Sequence, residues 1–210
     1  MVDDHRLASA GAARAARTLG AGGATTTVLV EGASDRLALE AVAERRGRDL
    51  AAEGVHVLPL GGVTNMPRFI AELGRPEEGV RLAGLCDLAE EGVVRRGLER
   101  AGHGLDLTRA GMEELGFFVC VADLEDELIR ALGAEAVERV LAATGRLRSF
   151  RTMQRQPAQR ERTVEQQLHR FFGSSAGKIR YARLLVEALD LDRVPAPLDR
   201  LVDRFRPVDA

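Results

Sequence analysis

Residues 25–35 read TTTVLVEGASD, and this stretch decides the fold. The β-branched run from Thr25 to Val30 predicts a buried strand that ends at Glu31. Ser34 or Asp35 is a suitable N-cap for a helix that follows at once. Apolar residues at helical spacing mark the buried face of that helix: Leu37, Ala38, Ala41 and Val42.

The same order of strand and helix recurs along the chain. Further strands are predicted at 55–60 (VHVLPL), 82–86 and 117–121 (FFVCV), and the helices that follow them at about 64–73, at 93–101 and from Leu124 onward. Strands that alternate with helices predict an α/β fold. We expect a Rossmann-like parallel sheet of about four strands, flanked by helices on both faces.

The character of the sequence changes twice, which predicts three parts. Residues 1–24 are rich in Ala, Gly and Arg and predict a flexible or helical arm. Residues 25–145 carry the α/β pattern. Residues 146–210 predict a helical subdomain: the stretch 146–162 is rich in Arg and Gln, and helical patterns return at 164–172, 176–189 and 198–205.

Composition limits the possible partners. The net charge of −2 gives no overall attraction to a polyanion, so nucleic-acid binding would need a local basic stretch or metal ions. The two cysteines lie inside apolar runs and are expected to be buried and reduced, and neither they nor the histidines have zinc-site spacing. With neither a membrane span nor an apolar signal core, we expect a cytoplasmic protein that does not bind membranes.

Acidic residues follow the carboxyl ends of the predicted strands. Ligands of open α/β sheets bind at that edge, so three separate segments should bring carboxylates together there. Clustered carboxylates repel one another unless a cation lies between them, and Mg²⁺ or Mn²⁺ prefers oxygen ligands. The alternative is that these acids are helix caps, for which Asp123 with Asp126 is the best case. The acids concerned are Glu31, Asp35, Asp87, Asp123 and Glu125.

Four short motifs in this order resemble the TOPRIM domain of OLD-family (overcoming lysogenization defect) nucleases. Val30-Glu31-Gly32-Ala33-Ser34-Asp35 resembles the first motif and its Glu-x-x-x-Asp variant. Gly84-Leu85-Cys86-Asp87 lies at the place of the second, Asp123-Leu124-Glu125 resembles the later acidic motif, and Gly177-Lys178 with Tyr181-Ala182 resembles the C-terminal lysine segment. The resemblance spans roughly residues 25–200.

The resemblance implies a metal-dependent nuclease. Two divalent ions, Mg²⁺ or Mn²⁺, would be held by Glu31 at the centre with Asp35, Asp87 and Glu125, and Asp123 is a further candidate. Lys178, the only lysine of the chain, would place a positive charge near the phosphate in the transition state. We expect nucleic acid as the substrate, with DNA preferred over RNA.

Two departures from the family pattern leave alternatives open. The second motif is usually Asp-x-Asp, but here Ala89 stands where the second acid is expected, so Glu90 or Glu91 replaces it or that ligand is missing. OLD proteins also carry an ATPase domain, but the only Gly-Lys pair of this sequence, Gly177-Lys178, lacks P-loop spacing. We therefore expect a free-standing TOPRIM protein, or one half of a split system whose ATPase is a separate chain. A catalytically degenerate nucleic-acid-binding or partner-docking module is the main alternative, and a primase-type nucleotidyl transferase is the second.

Several further residues are candidates for substrate contact. Arg148, Arg151 and Arg155 belong to a basic stretch that would follow a phosphate backbone, although a solvated linker explains them equally well. The loop residues Gly32, Gly61, Gly62 and Asn65 would line the same edge. Tyr181 is interpreted as a packing residue rather than a nucleophile. Two copies of the chain forming a homodimer is a further expectation.

Overall fold

The computed structural model of the chain describes residues 26–74, 81–173 and 178–205, so the predicted arm at 1–24 lies outside the described residues. Its strands are β1 (Thr26–Val30), β2 (Val55–Pro59), β3 (Arg81–Asp87) and β4 (Phe117–Cys120). Its helices are α1 (Ala33–Arg45), α2 (Met66–Leu73), α3 (Glu91–Arg100), α4 (Arg109–Glu114), α5 (Leu124–Leu132), α6 (Ala134–Ala143), α7 (Leu147–Gln154), α8 (Val164–Gly173), α9 (Lys178–Ala188) and α10 (Ala196–Asp203).

The four strands form one parallel sheet in the order β2-β1-β3-β4. In register, Val28 of β1 lies opposite Val57 of β2 and Ala83 of β3, and Asp87 at the end of β3 lies opposite Cys120 of β4. All four carboxyl ends therefore meet at one edge of the sheet. The predicted α/β fold with a parallel four-stranded sheet is confirmed.

Each face of the sheet is covered by its own hydrophobic core. Val28 and Val30 of β1 point into the larger core, whereas Leu29 points into the smaller one, as side chains alternate along a strand. The two cysteines, Cys86 and Cys120, are buried and unpaired in opposite cores. Burial raises the pKa of both thiols, to about 12 for Cys86, so both stay protonated.

The C-terminal helices share the larger core with α1, and that core includes Phe172 of α8, Leu185 of α9 and Leu198 of α10. Arg45, at the end of α1, donates hydrogen bonds to the carbonyl oxygens of Val186 and Leu189, the first at 2.7 Å. These bonds give a side-chain donor to carbonyls at the end of α9, where the carbonyl of Val186 also accepts from the N–H of Leu189 at 3.1 Å. The C-terminal helices are therefore packed directly on the sheet domain, while a boundary near residue 145 stays a prediction.

Three helices were not predicted, namely α4, α6 and α7. Helix α7 occupies much of the stretch that we interpreted as a linker, and it buries only Phe150, so its apolar periodicity is too sparse to read. In α1, Leu39 is buried and Leu37 only partly so, which shifts the expected buried face. Among the described residues, each helix is too short or too polar to cross a bilayer.

Candidate metal centre

Three carboxylates meet at the carboxyl edge of the sheet. Glu31, Asp87 and Glu90 each offer an oxygen atom, and these atoms lie within 4.8 Å of one another. Glu31 follows β1, Asp87 ends β3, and the two strands are neighbours in the sheet. A 3₁₀ turn over Leu88–Glu90 brings Glu90 back toward the other two.

The electrostatics of the cluster are those of crowded acids. The pKa of Asp87 is raised from 3.8 to about 7, first by burial and then by the negative charges of Glu90, Asp123, Glu31 and Asp35. Burial and the charge of Glu31 also raise the pKa of Glu90, partly offset by a hydrogen bond with the backbone of Asp87. A cation between these groups would remove the repulsion.

The donor set fits a hard divalent cation. All three groups are carboxylates, the ligands that Mg²⁺ and Mn²⁺ prefer. The Oε2 atom of Glu90 is buried and forms no hydrogen bond among the described residues. A buried carboxylate oxygen without a partner is costly in a folded protein, so the arrangement leaves a place for a positive ligand.

Asp35 and Asp123, both predicted metal ligands, bind backbone N–H groups at helix starts: Asp123 is the N-cap of α5, whereas Gly32, and not Ser34 or Asp35 as predicted, is the N-cap of α1. The Oδ2 atom of Asp35 accepts a hydrogen bond of 2.8 Å from the backbone N–H of Gly32 at the start of α1. The Oδ1 atom of Asp123 accepts one of 2.8 Å from the N–H of Asp126 at the start of α5. Both hydrogen bonds fit the alternative interpretation of these acids as helix-start residues, while metal binding by either acid stays a prediction. The charges of both acids contribute to the raised pKa of Asp87.

The other two predicted ligands also lie outside the cluster of three. Glu125 is buried in the first turn of α5, with 5% of its surface exposed. Glu91 forms a salt bridge with Arg109 of α4, so a basic residue already neutralises its charge. Of the two acids proposed to replace the one missing at Ala89, the structure brings Glu90, and not Glu91, to Glu31 and Asp87.

Two residues near this edge were missed from the sequence. His169 of α8 lies with its Nε2 atom 2.6 Å from the Oδ2 atom of Asp123. Glu127 of α5 is buried, accepts a hydrogen bond of 2.8 Å from the N–H of Val121, and pairs with Arg130. No motif marks either residue: the partner of His169 lies 46 residues away in the chain, and Glu127 lies within an ordinary acidic first turn of α5.

The glycine loop after β2 lies beside Glu31. The N–H of Gly62 donates to the carbonyl oxygen of Glu31 at 3.1 Å, and the side chain of Asn65 donates to Leu60. Gly61 and Gly62 have φ angles of 67° and 128°, which side-chain-bearing residues rarely adopt. Gly32 differs from these two glycines, because its φ of −140° is open to any residue.

The predicted nucleic-acid contacts lie on α7 and at its end. Arg148 and Arg155 are exposed and form no ion pair among the described residues, whereas Arg151 binds Glu138 at 2.6 Å. The three arginines are three and four positions apart and so share one helix face. The side chain of Lys178, the predicted catalytic lysine at the first position of α9, lies outside what the structure describes.

Comparison with known proteins places the chain beside OLD proteins. Residues 24–88 match the family described as "Overcoming lysogenization defect protein-like, TOPRIM domain". The C-terminal region of the Burkholderia pseudomallei OLD protein is 23% identical with a TM-score of 0.64, over 87% of this chain and 97% of that one. The C-terminal region of the Xanthomonas campestris pv. campestris OLD protein, phased with platinum, is 25% identical with a TM-score of 0.64, over 89% and 94%. No curated protein matches this chain. The resemblance to OLD-type TOPRIM domains is thereby confirmed.

Proposed function

We propose, from the match of residues 24–88 to the OLD-like TOPRIM domain family, that the chain is a divalent-metal-dependent nuclease that hydrolyses phosphodiester bonds. The observation that carries the proposal is the convergence of Glu31, Asp87 and Glu90, with oxygen atoms within 4.8 Å. These acids come from separate segments of the chain, and a cation held between them would relieve their mutual repulsion.

Each acid has a distinct part in holding the ion. Glu31 and Asp87 are fixed by the ends of adjacent strands and form a rigid pair of ligands. Glu90 supplies the carboxylate that the second motif lacks at Ala89. When bound, Mg²⁺ or Mn²⁺ would neutralise phosphate oxygens and activate a water molecule for attack.

A second ion stays part of the proposal. The cluster of three carboxylates matches the needs of one ion, and Asp35 and Glu125 are the remaining predicted ligands for another. Lys178 is proposed to stabilise the negative charge that develops on the phosphate, as a positioned cation does in a site shielded from water. The start of a helix is a poor place for a cation unless an anion lies nearby.

The substrate is proposed to be nucleic acid, DNA more than RNA. Arg148 and Arg155 support this proposal, since they are exposed and their charge is not neutralised among the described residues. Arg151 forms a salt bridge with Glu138 and is therefore a weaker candidate for contact with the nucleic acid. A separate ATPase chain and a homodimer stay predictions.

The proposal is tested by nicking of supercoiled plasmid with Mn²⁺. Glu31→Gln keeps the size of the side chain but removes its charge, and it should abolish nicking. Glu135→Gln is the matched control, because Glu135 is 91% exposed on α6 and should behave as the parent. Equal nicking by Glu31→Gln and the parent would refute the catalytic assignment.

One alternative function has an observation in its favour. Ala89 is exposed next to the cluster and carries no ligand atom, as in a degenerate site of a nucleic-acid-binding or partner-docking module. Such a module would bind DNA without metal and would show no Mn²⁺ binding by calorimetry. Mn²⁺ binding that depends on Glu31 favours the nuclease.

A further inference from the structure

A polar cleft of about 480 Å³ is lined in part by His169, the hydrogen-bond partner of Asp123. It lies between the start of α5, the turn at 157–162 and the start of α8, and the residues that line it are Asp126, Ala158, Glu161, Arg162, Gln166 and His169. Its link to the centre is Asp123, which lies three residues beyond Cys120, the residue opposite Asp87 in the sheet.

Asp123 holds the imidazole ring of His169 in place. One of its carboxylate oxygens caps α5, and the other lies 2.6 Å from Nε2 of His169. A carboxylate at this distance orients the ring through a hydrogen atom on Nε2, and the imidazolium form then has a second hydrogen atom, on Nδ1, to donate to an anion. The Nδ1 atom forms no hydrogen bond among the described residues, and 40% of the side chain is exposed. The second ring nitrogen is therefore available to a ligand.

The opposite wall is held by a buried glutamine. The side-chain amide of Gln167 donates to the carbonyl oxygens of Gln159 at 2.8 Å and of Arg162 at 3.2 Å, and it accepts a bond of 2.7 Å from Gln154. Gln167 is 8% exposed. Buried polar networks of this kind fix a backbone in one conformation. The turn that carries Arg162 is thus preorganised beside His169.

The lining favours a phosphate group over a base. Bases are bound by stacking on aromatic side chains, and the lining contains no phenylalanine, tyrosine or tryptophan. Asp126 is neutralised by Arg130 at 2.7 Å. Arg162 forms no ion pair among the described residues and brings a positive charge to the cleft, while Glu161 is the lining acid without a basic partner there and Asp123 lies behind His169.

We propose that His169 and Arg162 form a subsite for a phosphate group next to the one that is cleaved, with Asp123 as the residue that positions His169. The subsite deepens the proposed nuclease function and rests on it. It gives the substrate a defined class: a nucleic-acid strand with at least one flanking phosphate. Asp123 then acts on the bound nucleic acid by positioning His169, and not as a metal ligand.

Two substrates test the proposal, an oligonucleotide and bis(p-nitrophenyl) phosphate, which has no flanking phosphate. His169→Gln and Arg162→Gln should each lower kcat/KM for the oligonucleotide by about tenfold, mainly through KM, because a charge-assisted bond is lost. The loss on bis(p-nitrophenyl) phosphate should stay below about threefold. Arg139→Gln, on exposed α6, is the control for removal of a surface charge.

Methylphosphonate oligonucleotides locate the contact. Replacing one flanking phosphate with a neutral methylphosphonate should slow the parent protein by about tenfold and His169→Gln by far less, because the variant has already lost that contact. Asp123→Asn keeps a good cap for α5 but weakens the hold on His169. Asp123→Asn should lower kcat/KM for the oligonucleotide by less than His169→Gln does. The double variant should have the same kcat/KM as His169→Gln alone.

The outcomes separate the two proposals. Equal losses on both substrates, or equal sensitivity of parent and His169→Gln to every methylphosphonate, would overturn the phosphate subsite. Undiminished hydrolysis of both substrates by Glu31→Gln would overturn the metal centre itself, whatever the cleft variants do. A tenfold loss confined to the oligonucleotide, with a parent that depends on Glu31, supports both.

Discussion

Glu91 forms a salt bridge with Arg109, whereas its neighbour Glu90 turns its carboxylate toward Glu31. Arg109 lies at the start of α4 and donates a hydrogen bond to Glu91, and this bond, together with the charge of Glu91, raises the pKa of the arginine. Glu91 already has a positive partner and needs no metal. Glu90 has a buried oxygen without a hydrogen bond. A divalent cation would therefore neutralise and coordinate Glu90, whereas Arg109 already neutralises Glu91.

This difference predicts opposite results for two matched substitutions. Glu90→Gln should weaken Mn²⁺ binding by on the order of tenfold or more, because it removes one of three carboxylate ligands. Glu91→Gln removes the same charge one residue away and should leave Mn²⁺ affinity within about twofold of the parent. Calorimetric titration of both variants is the measurement. A larger effect of Glu91→Gln than of Glu90→Gln would contradict the assignment.

The proposal that Glu90 replaces the acid missing at Ala89 predicts a rescue. In the Glu90→Gln background, Ala89→Asp restores the Asp-x-Asp pattern of the family and should recover part of the lost Mn²⁺ affinity. Ala89 is exposed, so the new carboxylate enters without disturbing the core. Plasmid nicking should recover in parallel. No recovery of either property would show that position 89 does not face the ion.

Asp87 predicts how the stability of the metal-free protein depends on pH. Its pKa in the fold is about 7, raised from 3.8 by burial and by neighbouring acids. The folded state therefore binds this proton more tightly than the unfolded chain does. The contribution to the free energy of unfolding is fully present below the unfolded pKa and is lost as the pH rises through about 7.

Urea unfolding with EDTA, from about pH 5 to about pH 8, measures this effect. Asp87→Asn cannot ionise, so the parent should lose stability relative to the variant as the pH rises across that range. Saturating Mg²⁺ should reduce the loss, since the cation stabilises the ionised carboxylate. Parallel curves for parent and variant in EDTA would mean that Asp87 does not carry the raised pKa.

Features that depend on residues close together in the chain could be predicted from the sequence. A strand buried in a parallel sheet reads as a continuous apolar run, so β1 was predicted within one residue of Thr26–Val30. Glu31 and Asp87 could be placed together because carboxyl ends of neighbouring parallel strands share an edge. Neither inference required knowledge of a side-chain contact.

The site details depended on distant partners. The choice between Glu90 and Glu91 is made by Arg109, 18 residues further on, and His169 meets Asp123 across 46 residues. Contacts of this kind follow from how helices pack on one another, and the hydrophobic periodicity of a sequence does not predict which residues meet. Helix α7 was missed for a different reason, since a polar surface helix with one buried residue has no apolar stripe.

Gly84 predicts a test of the sheet beneath the metal centre. A Cβ atom there would lie 2.8 Å from the ring of Phe117 and 3.1 Å from the carbonyl oxygen of Leu29. Gly84→Ala should therefore destabilise the fold by about 1–3 kcal/mol, the usual cost of overpacking. Gly173→Ala is the control, because a Cβ there meets nothing within 4 Å. Chemical denaturation of both variants decides, and equal stability would contradict the tight packing of β3 on β4.

Lys178 and Tyr181 lie one turn apart on α9 and are predicted to have different roles. Tyr181 is 5% exposed and its ring lies 4.8 Å from that of Phe172, so it packs in the core. Tyr181→Phe should leave the nicking rate within about twofold of the parent, because it removes only a hydroxyl group. Lys178→Ala should slow nicking by on the order of a hundredfold without changing Mn²⁺ affinity, because a cation that acts on the transition state does not hold the metal. Nicking rates and calorimetry on the same preparations separate the two roles. Loss of nicking activity in Tyr181→Phe would indicate that the tyrosine is a nucleophile. Weakened Mn²⁺ binding in Lys178→Ala would contradict the catalytic role of the lysine.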